Sequence, residues 1–275
     1  MPVFYCEPWS GLGNRLMMMV SSIRAAKLNG YQVIFVWRKE GDFYSEFGSL
    51  FGNVNYTNTP PKMPLLELPG YPQRMCIDFE ALAGQDFYLR NFHFVLCADD
   101  LKEAPGNAEW ITEGLRDGWR DIVPAAAVRD KLLHREFDLG VHVRRNGVVD
   151  TNDWNFPDDQ TVAKIVRNCV VETNAKSLYL CSPSNETVKS ILNAIIGMGV
   201  EVTISGANSW DQDCTAVRQA YIDMLNLARC KHIVRRDIST FSGLPSLVNA
   251  QSEYIYTSDG GVSNKRPLIF SGGLL

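Results

Sequence analysis

Phe137-Asp-Leu-Gly-Val-His-Val143 runs directly into Arg144-Arg145-Asn-Gly147. A short apolar run bounded by two cations and a turn signal reads as a buried strand. Working outward, the pattern repeats. A helix is predicted over Asp158–Val171, a strand over Ser177–Cys181, a helix over Glu186–Ile196 and a strand over Val200–Ile204. A helix over Thr215–Ala228, a strand over His232–Val234, a helix over Phe241–Asn249 and a strand over Glu253–Tyr256 complete it. Pro157 stands at the start of the first helix with Asp158 and Asp159 behind it, favourable at the positive end of the dipole. Strands alternating with helices in this way predict an α/β fold with a parallel, doubly wound sheet. Ligands of such sheets bind beyond the carboxyl ends of the strands.

The first half opens similarly. A strand at Val3–Cys6 leads through Glu7-Pro-Trp-Ser-Gly-Leu-Gly13 into a helix from about Asn14 to Asn29, closed by Gly30. A strand follows at Gln32–Trp37. Pro60, Pro61, Pro64, Pro69 and Pro72 then predict an irregular excursion over 52–73. A Pro-Ala-Ala-Ala-Val helix at 124–134 hands the chain to a second domain, so the expected division is 1–135 and 136–275. No internal repeat or low-complexity segment interrupts the pattern.

Composition narrows the function classes. The 275 residues are 45% hydrophobic and 21% charged, which excludes disorder, collagen-like repeats and disulfide miniproteins. With 27 Lys+Arg against 31 Asp+Glu the net charge is -4, unlike a nucleic-acid-coating protein. The seven cysteines lie singly at 6, 76, 97, 169, 181, 214 and 230, without CxxC or Cys/His ligand spacing. That pattern fits a reducing compartment better than a disulfide framework or a zinc site. Cys169, Cys181 and Cys230 sit in apolar stretches, where cysteine acts as a small hydrophobe. No basic-then-apolar leader or run of about 18 apolar residues is present, so the expectation is a cytoplasmic protein without a transmembrane segment.

Five places could carry chemistry. In Ser10-Gly-Leu-Gly-Asn14-Arg15, the glycines Gly11 and Gly13 would let the backbone turn tightly, and the helix start at Asn14 offers N–H groups to an anion. A ligand-free strand-to-helix turn is the alternative. Strand alternation puts His142 and Arg144 on one face, Val141 and Val143 on the other, and Arg145 beyond the strand end. Two adjacent arginines at a ligand edge call for an anionic partner, a phosphate or a structural carboxylate. Asp223 interrupts the apolar segment Ala220–Ala228 and either serves a local network or accepts paired N–H bonds from a guanine edge. Arg235-Arg236-Asp-Ile-Ser239-Thr240-Phe-Ser242 is rich in hydroxyls that cap a helix or bind phosphate. Asp150 and Asp153 follow the arginine pair directly, as solvated loop acids or as a general base. No P-loop, GxSxG elbow, HExxH or kinase signature is present. The DxD-like Asp211-Gln-Asp213 reads more easily as a helix N-cap.

Taken in order, Gly11-Leu-Gly-Asn14, Val33-Ile-Phe-Val-Trp-Arg38, Gly140-Val-His-Val-Arg-Arg145, Leu178-Tyr-Leu-Cys-Ser182, Tyr221-Ile-Asp-Met-Leu-Asn-Leu-Ala-Arg-Cys230 and Ser239-Thr-Phe-Ser242 resemble the fucosyltransferases. Nearest is the α-1,6-fucosyltransferase group with its rhizobial nodulation enzymes. The matches span 11–38 and 139–248 and leave the middle third unmatched. The resemblance implies two Rossmann-like domains facing across a cleft (GT-B-like), the N-terminal one on the acceptor side and the C-terminal one binding GDP-sugar. It implies an inverting, metal-independent transfer from GDP-fucose to a glycan acceptor, with no cofactor beyond the donor. Arg144 would hold the β-phosphate with Arg145 beside it, His142 and Asp223 would address guanine, and Ser239, Thr240 and Ser242 would line the phosphates. Gly11, Gly13 and Asn14 would approach the donor from the other domain. Here Asn146-Gly147-Val-Val stands where relatives place a charged residue, leaving Asp150, Asp153 and, behind them, Glu7 as bases. A transferase of another nucleotide sugar, or an inactive nucleotide-sugar or glycan binder, fits the same scaffold.

Overall fold

The computed structural model describes residues 1–9, 11–38, 45–66, 76–91, 96–97, 109–143, 157–205, 214–236, 239–249, 252–257 and 260–263. They form an α/β fold of two compact units, Met1–Asp130 joined by Cys214, and the remaining residues from Lys131 onward.

The first unit contains β1 (Val3–Pro8), α1 (Leu12–Asn29), β2 (Gln32–Val36), α2 (Phe47–Leu50), β3 (Tyr56–Thr57), β4 (Cys76–Ile77), β5 (Phe87–Asn91), β6 (Leu96–Cys97), α3 (Glu109–Arg120) and α4 (Ala126–Arg129). A parallel sheet runs β3-β2-β1-β5, with β4 and β6 a separate parallel pair. Helix α1 is buried on nearly every side, from Leu16 through Met19 and Val20 to Ala26, as an apolar helix packed on two sides must be. Gly118 of α3 lets the two helices touch, because a Cβ there would lie 2.4 Å from the Val20 carbonyl oxygen. Gly30 ends α1 at φ 69°, its N–H returning to Ala26 O, a conformation glycine adopts without strain.

In the second unit, β7 (Phe137–His142), α5 (Asp159–Thr173), β8 (Ser177–Cys181), α6 (Asn185–Ile195) and β9 (Glu201–Ile204) wind one way. The chain then crosses through α7 (Cys214–Leu227) to β10 (Cys230–Arg236), α8 (Thr240–Asn249), β11 (Ser252–Tyr256) and β12 (Val262–Ser263). The sheet order is β12-β11-β10-β7-β8-β9, parallel except for antiparallel β12. Strand order therefore reverses between β7 and β10, where a doubly wound sheet opens a ligand crevice. Leu139, Val141 and Val143 enter a core with Val162 and Val166 of α5, Leu178, Leu180 and Val234. Asp158 caps α5 by accepting the Thr161 N–H at 2.7 Å, and Ser184 caps α6 through the Thr187 N–H at 3.1 Å.

The structure moves several predicted boundaries. β1 runs on to Pro8 because Glu7 and Pro8 pair with Arg90 and Asn91. Helix α1 starts at Leu12 rather than Asn14. β10 spans Cys230–Arg236, so Arg235 and Arg236, opposite Ile255 and Tyr256, are strand residues rather than turn residues. The predicted 124–134 helix is the single turn Ala126–Arg129, with Pro124 drawn into a bridge to Phe51. Among the described residues no helix is long and apolar enough to cross a membrane.

Candidate functional site

At the carboxyl end of β7 the side chains alternate as predicted. Gly140 and His142 face away from the Leu139–Val143 core, and a Cβ on Gly140 would lie 2.7 Å from Cys230 Sγ. His142 is fully buried, and its Nδ1 lies 2.9 Å from Ser242 Oγ and 3.5 Å from Ser239 Oγ. The Phe241 ring stacks on the imidazole at 4.6 Å between centroids. These contacts fasten the end of β7 to the first turn of α8. The Ser239 carbonyl accepts the Gly243 N–H at 2.9 Å, placing Ser239 at the N-cap position. The Ser239 and Ser242 hydroxyls turn to His142, so the predicted capping is made by position more than by side chain. Thr240 opens the helix. The positive end of α8 thus sits at the reversal of strand order, where backbone N–H groups favour an anion. Arg144, Arg145, Asp150 and Asp153 lie outside the described residues, as do Asp211 and Asp213.

Asp223 belongs to the interior instead. Its carboxylate accepts from Tyr179 Oη at 2.7 Å, Ser205 Oγ at 2.7 Å, Gln219 Nε2 at 2.9 Å and Cys181 Sγ at 3.4 Å. Four donors use up its lone pairs, and burial still holds its pKa above the ordinary carboxylate value. The local-network reading therefore prevails over the guanine reading. His142 is fully buried as well, and its contacts with Ser242, Ser239 and Phe241 tie β7 to α8. Cys169, Cys181 and Cys230 are buried free thiols, and burial pushes Cys169 and Cys230 up to about 12, which suits packing and not nucleophilic work.

Arg235 of β10 is not an available cation. Its Nη2 lies 2.9 Å from Glu253 Oε2 of β11, its Nη1 donates to Arg236 O at 3.1 Å, and Ser246 Oγ donates to the other Glu253 oxygen. Arg236, buried, closes the strand at the carboxyl edge. Nothing in the local pattern marked Glu253 as its neighbour's counterion, since the pair forms across strands.

In the first unit, Gly11 takes the N-cap position of α1 at φ −68° and ψ 168°, and Gly13 lies inside the first turn. Neither adopts the left-handed region, so the predicted need for glycine as a tight-turn former is not met. A Cβ on Gly11 would meet nothing within 4 Å, so the space beside the start of α1 is open. No side chain caps α1, leaving the N–H groups around Gly13 and Asn14 to backbone or ligand partners. Arg15 is buried, its guanidinium 4.8 Å from the Trp37 ring centroid and its Nη1 donating to Arg38 O at 3.3 Å. Glu7 is 1% exposed, with Oε1 at 3.0 Å from Nε of both Arg38 and Arg90, and Tyr88 Oη donates to its Oε2. A base must reach the proton it removes, so Glu7 is excluded from that role and serves as an ionic anchor. Among the described residues no group of three or more His, Cys, Asp or Glu side chains could hold a metal ion.

No protein-family model and no curated protein matches the sequence. Solved structures do match in fold. A mutant of Arabidopsis thaliana FUT1 in complex with GDP is 14% identical at a TM-score of 0.60, the alignment covering 93% of this chain and 70% of that chain. Fucosyltransferase NodZ from Bradyrhizobium is 16% identical at a TM-score of 0.58, with 97% and 100% covered. POFUT1 in complex with GDP-fucose is 13% identical at a TM-score of 0.50, with 90% and 94% covered. What this chain shares with them is the fold, along nearly its whole length.

Proposed function

We propose that this chain is a glycosyltransferase that moves L-fucose, or a related 6-deoxyhexose, from its GDP carrier to a hydroxyl of an oligosaccharide. The second unit would bind the donor and the first the acceptor. The observation that carries this reading is the second unit's carboxyl edge. There the end of β7 and the N-terminus of α8 are tied together through His142, Ser239 and Ser242 at the reversal of strand order. The fold is one shared with fucosyltransferases solved with GDP and GDP-fucose.

In this reading the α8 N-terminus and Arg144, directly after Val143, take the donor's diphosphate. A loop carboxylate, Asp150 or Asp153, removes the acceptor hydroxyl proton. The acceptor oxygen attacks C1 from the face opposite the diphosphate, inverting that carbon. The C1–O bond to the β-phosphate breaks, and its electron pair leaves on GDP. Arg144 stabilises that departing charge, an effect worth about 3 kcal/mol for one preorganised donor. The arginine and the helix dipole do the work a metal ion would otherwise do.

The test is release of GDP from GDP-fucose, against GDP-mannose and UDP-galactose, with the anomeric configuration of the product read by NMR. Turnover of GDP-fucose to an inverted product supports the reading. Turnover of the UDP-sugar overturns it, and saturable GDP binding without turnover against a wide acceptor panel turns it into the reading of a binding protein.

A further inference from the structure

The first unit has its own reversal of strand order, between β1 and β5, and its carboxyl edge carries a cluster that the proposed chemistry leaves unused. Buried Glu7 holds Arg38 and Arg90 through the same oxygen, each Nε at 3.0 Å. Both side chains keep part of their surface open, 28% for Arg38 and 33% for Arg90. The Arg90 guanidinium lies 5.2 Å from the ring centroid of Trp9, itself 37% exposed at the end of β1. Arg90 Nε faces Glu7 as an ion pair rather than as a hydrogen bond, while its Nη groups meet no acceptor among the described residues. The result is a guanidinium flanked on two sides, by Glu7 and by the indole, on a side chain that is 33% exposed.

We propose that Arg90, held by Glu7 and flanked by Trp9 and Arg38, is a subsite for a sugar residue carrying an oxyanion, a carboxylate or a sulfate ester, on the acceptor. The indole covers apolar C–H surface of a ring, and the fixed fork receives two oxygens of the anion. Pre-organisation by Glu7 removes much of the cost of ordering a long side chain. The assignment to the acceptor rests on the glycosyltransferase reading.

The experiment titrates the full chain by calorimetry, at low salt and in 1 M NaCl, with three trisaccharides: galacturonic acid, galactose and galactose 6-sulfate. GDP is titrated in parallel. The acidic chains should bind about tenfold tighter than the neutral one at low salt, with the preference collapsing in high salt. The order of uronate and sulfate identifies which oxyanion the fork prefers. Arg90→Gln and Trp9→Ala should each erase most of the preference while GDP affinity stays as in the parent. Should Arg90→Gln fail to fold, Trp9→Ala, at a partly exposed position, decides alone. Equal affinity for acidic and neutral chains overturns the subsite, as does a preference that Trp9→Ala leaves intact. Weakened GDP binding in these variants also overturns it, by giving the cluster to the donor. Absence of GDP binding in the parent protein instead removes the glycosyltransferase reading.

Discussion

Glu253→Ala would leave the Arg235 guanidinium charged in a place where both side chains are almost entirely enclosed. Breaking one partner from a buried ion pair costs about 3–5 kcal/mol, because a charge out of water loses the counterion it was paired with. The bond from Arg235 Nη1 to Arg236 O survives the change, which favours the lower half of that range. The orphaned Ser246 hydroxyl adds about 1 kcal/mol. The net expectation is about 4 kcal/mol, a large part of the 5–15 kcal/mol typical of a folded domain. Replacing both partners, as Arg235→Met with Glu253→Leu, removes the charge and its need together and should cost about 1 kcal/mol. A chain of two compact units need not unfold in one step. The measurement is therefore native-state hydrogen exchange at Ile233, Val234 and Ile255, where the single variant should exchange about 10²–10³ times faster than the double variant. A loss below about 1 kcal/mol in the single variant, or a double variant as unstable as the sum of its parts, would refute the argument. GDP affinity of the double variant adds a second readout. It should match the parent, because Arg235 is buried and paired with Glu253 rather than open to a phosphate.

Arg144→Ala should abolish transfer, by about 10²-fold or more in kcat, with an unchanged melting temperature; near-normal turnover removes the centre of the mechanism. Gly140→Ala should cost about 1–3 kcal/mol through the clash with Cys230 Sγ, and Cys230→Ala in the same chain should recover part of it in urea unfolding. The Lys231 ammonium, then the Lys176 and Ser177 N–H groups, hold Asp138 down to about 2. A depressed carboxyl stabilises above its unfolded value near 4 and loses that contribution as pH falls toward about 2. The stability difference between the parent and Asp138→Asn should shrink across that window, and a constant difference would contradict it.

The doubly wound order was legible because each strand of the second unit is a short apolar run between helices with the right period, and His142 falls on the predicted face. The ends of strands were not. β10 continues through Arg235 and Arg236 because a neighbouring strand supplies Glu253, a cross-strand partner no local pattern reveals. Glu7 looked like a reserve base because its counterions, Arg38 and Arg90, lie 31 and 83 residues away in sequence. At the Gly11–Asn14 turn the glycines were legible, but not their backbone: Gly11 has an ordinary extended angle, and the space beside it is open. For Asp223 the sequence leaves network and ligand group open, with the resemblance pointing to guanine, and only the four donors around it speak for the network.

Which nucleotide the protein holds, and whether it needs a metal, is read by a calorimetric titration with GDP, UDP, ADP and dTDP, in EDTA and again with Mn²⁺. Tight binding of GDP alone, unchanged by EDTA, is the expected result, with arginine and the α8 N-terminus holding the diphosphate. A preference for UDP, or binding only in the presence of Mn²⁺, would contradict it and return attention to Asp211 and Asp213.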